Sequence, residues 1–103
     1  MQLLTKELLK RFKTLGEQED ADPIVVCKFF NPTGAGRWYA TEYDESDRTF
    51  YGFVSIFGDH CDEWGRFSFE ELEQFRGEYG LPIERDLYFN EGRAKDVIPE
   101  LSR

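Results

Sequence analysis

Histidine and cysteine are nearly missing from this chain, which has one His and two Cys in 103 residues. A structural zinc site wants four Cys or His ligands, so composition alone excludes one. Small secreted scaffolds are usually denser in cysteine. The two thiols, Cys27 in mid-strand and Cys61 in a loop, are therefore read as free, in a reducing cytosol, with one of them as a small core hydrophobe. Positive charge is also short. Thirteen Lys and Arg face 21 Asp and Glu, a net charge of -8, which disfavours non-specific contact with nucleic acid. No apolar run approaches the ~20 residues that cross a bilayer, so no membrane partner is expected. The first residues carry Lys6, Lys10, Arg11 and Lys13 without an apolar core and a small-residue cleavage site. No signal peptide is read, and the expected location is cytoplasmic. Internal repeats and low-complexity tracts are lacking.

Aromatic residues, by contrast, are plentiful: two Trp, five Tyr and ten Phe. Nine of them fall between Ile24 and Phe57. That window reads as three strands, Ile24 to Phe30, Arg37 to Tyr43 and Thr49 to Phe57, all rich in β-branched and aromatic side chains. Turn residues separate them, Asn31-Pro32-Thr33-Gly34-Ala35-Gly36 and Asp44-Glu45-Ser46-Asp47. Links this short join antiparallel neighbours, since a parallel crossover needs a dozen residues or more. Alternation puts Val25, Cys27 and Phe29 on one face of the first strand and Ile24, Val26, Lys28 and Phe30 on the other. In the third strand Phe50, Val54 and Ile56 alternate with Tyr51, Phe53 and Phe57. Both faces carry large apolar groups, so either helices cover parts of both or one keeps an exposed aromatic patch.

Around this ribbon the spacing predicts two helices. Leu3 to Leu15 places Leu8, Phe12 and Leu15 on one stripe and Lys6, Lys10 and Lys13 on another. Thr5 suits its N-cap, Leu4 and Leu9 its staple, and Gly16 its left-handed exit. Gly65-Arg66-Phe67 reads as a short fourth strand. It runs into a second helix over Phe69–Tyr79, opened by the capping box Ser68-Phe69-Glu70-Glu71 and stapled by Phe67 and Leu72. Leu72, Phe75 and Tyr79 form its expected buried stripe, and Gly77 and Gly80 its end. Pro82 favours a tight turn or one helical turn over Ile83 to Asp86. Leu87 to Phe89 reads as a last short strand. From Asn90 onward, a short docked helix around Val97, Ile98 and Leu101 and a frayed, weakly ordered tail are both open. The expected fold is one α+β domain over residues 1–103. It has an antiparallel meander of four to five strands, with the N-terminal helix and the helix after strand four packed on it.

The candidate chemistry is thin. Asp59-His60-Cys61-Asp62-Glu63 packs ligand types into five residues and reads as an acidic loop. A weak cation site on its carboxylates is the sharper alternative. His60 and Cys61 are sequence neighbours, which tends to point the side chains apart, so no Cys–His nucleophile is assigned. Carboxylates are many, and without geometry no pair is singled out for acid and base roles. Glu84-Arg85-Asp86, set by Pro82 and Ile83, reads as an arginine tying the last strand to a helix or turn. Its functional alternative is a planar fork offered to a carboxylate or phosphate. Tyr51-Gly52-Phe53-Val54-Ser55 partly matches the RNA-binding sheet signature, but Thr49, Phe50 and Ile56 depart from it. Trp38, Tyr39, Tyr51 and Tyr88 together suggest a contact patch for a protein.

Six stretches carry a family resemblance. They are Leu3-Leu-Thr-Lys-Glu-Leu8, Lys28-Phe-Phe-Asn-Pro-Thr33, Trp38-Tyr-Ala-Thr-Glu-Tyr-Asp44, Phe50-Tyr-Gly-Phe-Val54, Phe67-Ser-Phe-Glu-Glu-Leu-Glu73 and Gly80-Leu-Pro-Ile-Glu-Arg-Asp86. The chain resembles the small bacterial family of uncharacterised proteins known as domain of unknown function 2958 (DUF2958). The resemblance implies an origin in bacteria, often on plasmids and other mobile elements. It implies no activity, cofactor or catalytic residue.

The function expected from all this is a small non-enzymatic interaction module, an accessory protein of a mobile element or of bacterial regulation. Acid clusters and aromatics would meet a protein partner. The expected binding residues are Trp38, Tyr39, Tyr51, Glu84, Arg85 and Asp86, with no catalytic residue, no metal site and no cofactor. The alternative is nucleic-acid binding through the aromatic sheet and the Lys6/Lys10/Lys13 face. An enzyme working through carboxylates or a metal ranks below both. Acid mimicry of DNA toward a DNA-binding enzyme is a fourth option, suggested by charge and context alone.

Overall fold

A computed structural model describes residues 1–56 and 62–102. The first helix, α1, spans Lys6–Leu15. It starts later than the leucine pattern suggests, because Thr5 takes the cap: its hydroxyl oxygen accepts from the Leu8 N–H at 3.2 Å. Gly16 closes the helix at φ 59°, donating to the Phe12 carbonyl at 2.9 Å.

Among the described residues, seven strands follow. They are β1 Ile24–Val25, β2 Cys27–Phe30, β3 Arg37–Asp44, β4 Thr49–Ser55, β5 Glu63–Ser68, β6 Glu84–Arg85 and β7 Gly92–Arg93. The main sheet has the order β5-β4-β3-β2-β6, antiparallel throughout, and β1 pairs with β7 in a two-stranded ribbon. The fold is thus α+β, built on a five-stranded antiparallel sheet with α1 and α2 (Phe69–Gln74) packed on it.

The expected continuous strand Ile24 to Phe30 is broken at Val26, whose N–H turns to the Ala40 carbonyl at 2.8 Å. The break flips the side-chain phase. Val25 packs with Tyr39, Phe53, Ala94 and Ile98, while Cys27 and Phe29 join Phe12, Trp38 and Phe50 on the opposite face. The sheet therefore has two small cores. One lies under α1 and α2, the other under the C-terminal segment. Of the two options open for its faces, partial cover on both is the one realised.

A second irregularity sits in β3. Ala40 pairs with Gly52 and Glu42 with Tyr51, so Thr41 is an extra, bulged residue. The Thr41 hydroxyl donates to the Tyr51 carbonyl at 3.1 Å. The Thr41 carbonyl accepts from Gln18 Nε2 at 2.8 Å. The same amide nitrogen reaches the Ile24 carbonyl at 2.9 Å, and the amide oxygen accepts from the Ile24 N–H at 2.7 Å. One glutamine thus satisfies three backbone groups that the bulge and the start of β1 would otherwise strand. Gln18→Ala is expected to cost about 2 kcal/mol, read as a fall in urea midpoint at constant m.

The second helix is shorter than the expected Phe69–Tyr79. Ser68 caps it as predicted, accepting from the Glu71 N–H at 3.2 Å, but Phe75 is already extended at ψ 136°. Of the expected stripe only Leu72 is buried, Phe75 touches Trp38 edge-on at 6.5 Å, and Tyr79 is 92% exposed. The chain instead turns back through a 3-10 turn, Glu78–Gly80, held by the Gly77 N–H on the Leu81 carbonyl at 2.8 Å. Gly77 and Gly80 weaken a helix here, and the return to the β2 edge needs a reversal. Tyr79 sits at φ 61° without packing its ring. Tyr79→Gly should therefore raise stability by roughly 0.5–1 kcal/mol in the same assay.

The strand expected at Leu87 to Phe89 is likewise displaced. The edge strand is Glu84–Arg85, and Asp86 ends it by accepting from the Tyr88 N–H at 2.9 Å. The segment from Asn90 forms β7, α3 (Ala94–Val97) and a final 3-10 turn, Pro99–Ser102. Its anchors are Ala94 and Ile98, both 1% exposed. The Ala94 N–H donates to the Pro23 carbonyl, and Arg11 grips Glu91 through two bonds of 2.9 and 2.8 Å.

Candidate functional site

The residues expected to bind a partner do not share a surface. Trp38 and Tyr39 are neighbours on β3, so the pleat points them to opposite faces, and both are buried, at 8% and 1% exposure. Trp38 belongs to the core under α1. Tyr39 belongs to the core under the C-terminal segment, with its hydroxyl 3.5 Å from Glu100 Oε1. Burial, and then Glu100, raise the Tyr39 pKa well above the usual phenol value. The expected patch of Trp38, Tyr39, Tyr51 and Tyr88 is corrected accordingly: two members are core, Tyr51 is 39% exposed, and Tyr88 projects from the turn after β6.

Glu84, Arg85 and Asp86 lie half-buried at the opposite edge of the sheet. Arg85 ties that edge to the N-terminal segment. Its guanidinium donates to the Gln2 carbonyl, and its backbone N–H points to the Met1 sulfur at 3.2 Å. This is the structural role of the two considered, with the N-terminal segment in place of a helix or turn. Asp86 lies 3.8 Å from Lys28 Nζ.

What the fold does bring together is a set of acids from two separate stretches. The connector after α1 runs alongside the bulged end of β3, and Gln18 fastens the two. Its backbone N–H donates to Glu42 Oε2 at 2.9 Å. On either side of Glu42 and Tyr51 open two adjoining grooves of about 290 and 330 Å3. The first is lined by Glu17, Asp44 and Glu45, with Lys13 and Arg66 as its bases, over a floor of Tyr43 and Phe50. The second is lined by Glu19, Asp20 and Trp64. Tyr51 stacks on Trp64 at 6.3 Å with 20° between the rings, forming an aromatic edge common to both grooves. Asp44 accepts from the Ser46 hydroxyl at 2.7 Å and its N–H at 2.9 Å, and these bonds hold its carboxyl below the usual range. Only Tyr51 among the expected binding residues belongs here. The acid clusters were visible in the sequence. Their meeting, and the part of Trp64, were not.

Other expected sites can be placed in turn. Asp59, His60 and Cys61 lie outside the described residues. Among the described residues, no group of three His, Cys, Asp or Glu side chains converges in a way that would hold a metal. Phe53, which an RNA-binding sheet would need for stacking, is 5% exposed and packed in the C-terminal core. Cys27 is 4% exposed, and burial pushes its thiol up to about 12. In a Cys61→Ser variant, the remaining thiol is expected to stay unreactive toward a disulfide reagent at pH 8 and to react fully in urea. The raised value also sets a pH dependence. The folded thiol keeps its proton longer than the unfolded one, so its contribution is intact below the ordinary thiol value of 9.0 and is lost as pH rises toward about 12.

No helix among the described residues is long and apolar enough to cross a membrane. No curated protein and no solved structure matches the chain. A family model described as a protein of unknown function, DUF2958, matches residues 1–97, and the chain belongs to that family.

Proposed function

We propose that this chain is a non-enzymatic interaction module whose paired grooves take a basic, extended segment of a protein partner. The observation that supports this reading is the joining of two sequence-distant acid clusters along one aromatic edge at Glu42 and Tyr51. Six carboxylates, Glu17, Glu19, Asp20, Glu42, Asp44 and Glu45, flank that edge, with Lys13 and Arg66 as the lining bases and Asp20 paired with Arg93 at 3.2 Å. A lysine or arginine side chain would gain from the carboxylates and from the stacked face of Tyr51 and Trp64. The floor is fixed before binding, because Gln18 and the bulge hold it, so little ordering cost remains. The setting we assign is a bacterial cytoplasmic accessory protein of a mobile element, in keeping with the occurrence implied by the resemblance.

The test is titration of the protein with a Lys- and Arg-containing peptide, followed by NMR shifts at Tyr51 and Trp64. Saturable binding that weakens several-fold between low and high salt is expected. The triple change Glu17→Gln, Asp44→Asn and Glu45→Gln removes three exposed charges and is expected to weaken binding about tenfold. Equal binding by this variant, or equal binding of an acidic peptide, would remove the reading.

A further inference from the structure

The main sheet has two outer strands, and they are finished differently. β6 is two residues long and is tied to the N-terminal segment through Arg85. β5 runs for six residues, Glu63–Ser68, with no proline, lysine or bulge to guard its free side. We infer that the outer edge of β5 pairs antiparallel with the same edge of a second copy, joining two five-stranded sheets into one.

Hydrogen-bond phase shows which groups are on offer. Thr49 pairs with Ser68, and one step beyond them the Phe69 N–H donates to the Arg48 carbonyl at 3.0 Å. Bonded and non-bonded pairs alternate along an antiparallel ladder. Phe67, Gly65 and Glu63 therefore turn their backbone groups to β4, and Trp64 and Arg66 turn theirs outward. Among the described residues, no other backbone group meets the N–H and C=O of these two.

Self-pairing about a two-fold axis leaves few registers. Bonded pairs must join outward-facing residues, so the axis falls on Trp64, Gly65 or Arg66. Centred on Arg66, it sets two like charges opposite each other, which is destabilising. Centred on Trp64, it leaves only Glu63, Trp64 and Gly65 of β5 within the pair. Centred on Gly65, it pairs Glu63 to Phe67 of both copies and sets Trp64 opposite the partner's Arg66. The bonded pairs then exchange backbone bonds in both directions. Within one chain Tyr51 lies opposite Arg66 and Phe53 opposite Trp64. A row of Phe53, Trp64, the partner's Arg66 and the partner's Tyr51 would thus cross the axis. The guanidinium sits there between two aromatic side chains, a favourable place for a cation. Gly65 meets its own copy on the axis, where a Cβ has open space.

Pairing through one strand buries less than a standard interface, and each chain carries a net charge of -8. The expected association is weak, with a dissociation constant on the order of 100 µM. It tightens as salt screens the repulsion, the reverse of the salt dependence expected for a basic segment in the grooves. The bonds are made by backbone groups, so the pairing does not depend on the grooves having a ligand.

The experiment is sedimentation equilibrium of the full chain from about 10 µM to about 1 mM, at low and high salt. A monomer–dimer equilibrium that tightens several-fold with salt is expected. Arg66→Ala keeps the N–H and loses the cation, and should weaken the dimer about threefold. Arg66→Pro also removes an N–H that bonds nothing within the chain. It should weaken the dimer at least tenfold while its urea midpoint matches that of Arg66→Ala. Cross-linking is the second measurement. In a Cys61→Ser background, Gly65→Cys should form a disulfide dimer in glutathione buffer at least tenfold faster than Glu63→Cys, because the Cα atoms of a non-bonded pair lie about 4.5 Å apart. A monomer at every concentration, an Arg66→Pro dimer as tight as that of Arg66→Ala, or equal cross-linking of the two cysteine variants would overturn the pairing.

Discussion

Replacing Gly52 with alanine should remove a large part of the stability of the fold. The added methyl carbon would land on the Tyr39 carbonyl oxygen, 2.8 Å from the Tyr39 carbonyl carbon and 3.1 Å from Ala40 Cα. These are backbone atoms of the adjacent strand, next to the bulge at Thr41, so no side-chain rotation relieves the clash. The sheet must open locally or the register must shift. Either costs about 4 kcal/mol or more, against a total of roughly 5–15 kcal/mol for an ordinary domain. Gly65, directly opposite on β5, is the control. A Cβ there meets nothing within 4 Å, so Gly65→Ala should stay within about 0.5 kcal/mol of the parent. Urea denaturation followed by circular dichroism reads both. Similar midpoints for the two variants would mean that the approach of β3 to β4 is not the one described.

Phe50→Ala should cost nearly as much for a different reason. Phe50 is fully buried and its ring meets five others: Tyr43 at 4.6 Å, Phe67 at 5.2 Å, Phe29 at 5.3 Å, Phe12 at 5.9 Å and Phe69 at 6.3 Å. Truncation leaves a void that α1, α2 and three strands cannot close together. The expected loss is roughly 3–5 kcal/mol with m unchanged. Tyr51, one residue along, stacks on Trp64 at the rim of the groove and is 39% exposed. Tyr51→Ala should cost about 1 kcal/mol or less in stability while weakening any ligand of the acidic edge. Adjacent positions thus separate packing from binding. If Tyr51→Ala proved as damaging as Phe50→Ala, Tyr51 would belong to the core and the aromatic edge would lose its role.

The same adjacency explains the fate of the expected contact residues. Trp38 and Tyr39 look like exposed aromatics when both sheet faces are left open as possible surfaces. They become core once α1 covers one face and Ala94 and Ile98 cover the other. Glu84, Arg85 and Asp86 were legible as a dense polar stretch beside apolar anchors, and their place on the edge strand was not. What holds Arg85, the carbonyl of Gln2, lies 83 residues away and had no signature in the sequence. The acids of the groove were legible as clusters, and their assembly was not.

The sequence by itself determined the α+β class, the three aromatic strands with their two turns, the Thr5 and Ser68 caps and the Gly16 exit. Those features rest on hydrogen bonds and steric preferences spanning a few residues, so they are written where they act. Only the tertiary structure decided the break at Val26, the bulge at Thr41, the early end of α2, and the docking of the C-terminal segment onto the second face. Each depends on backbone groups finding partners far along the chain, as Gln18 does with Thr41 across 23 residues and Arg93 with Ile24 across the ribbon. The acidic grooves arise at one of those long-range junctions, where the fold must satisfy a polar backbone that local pattern leaves open.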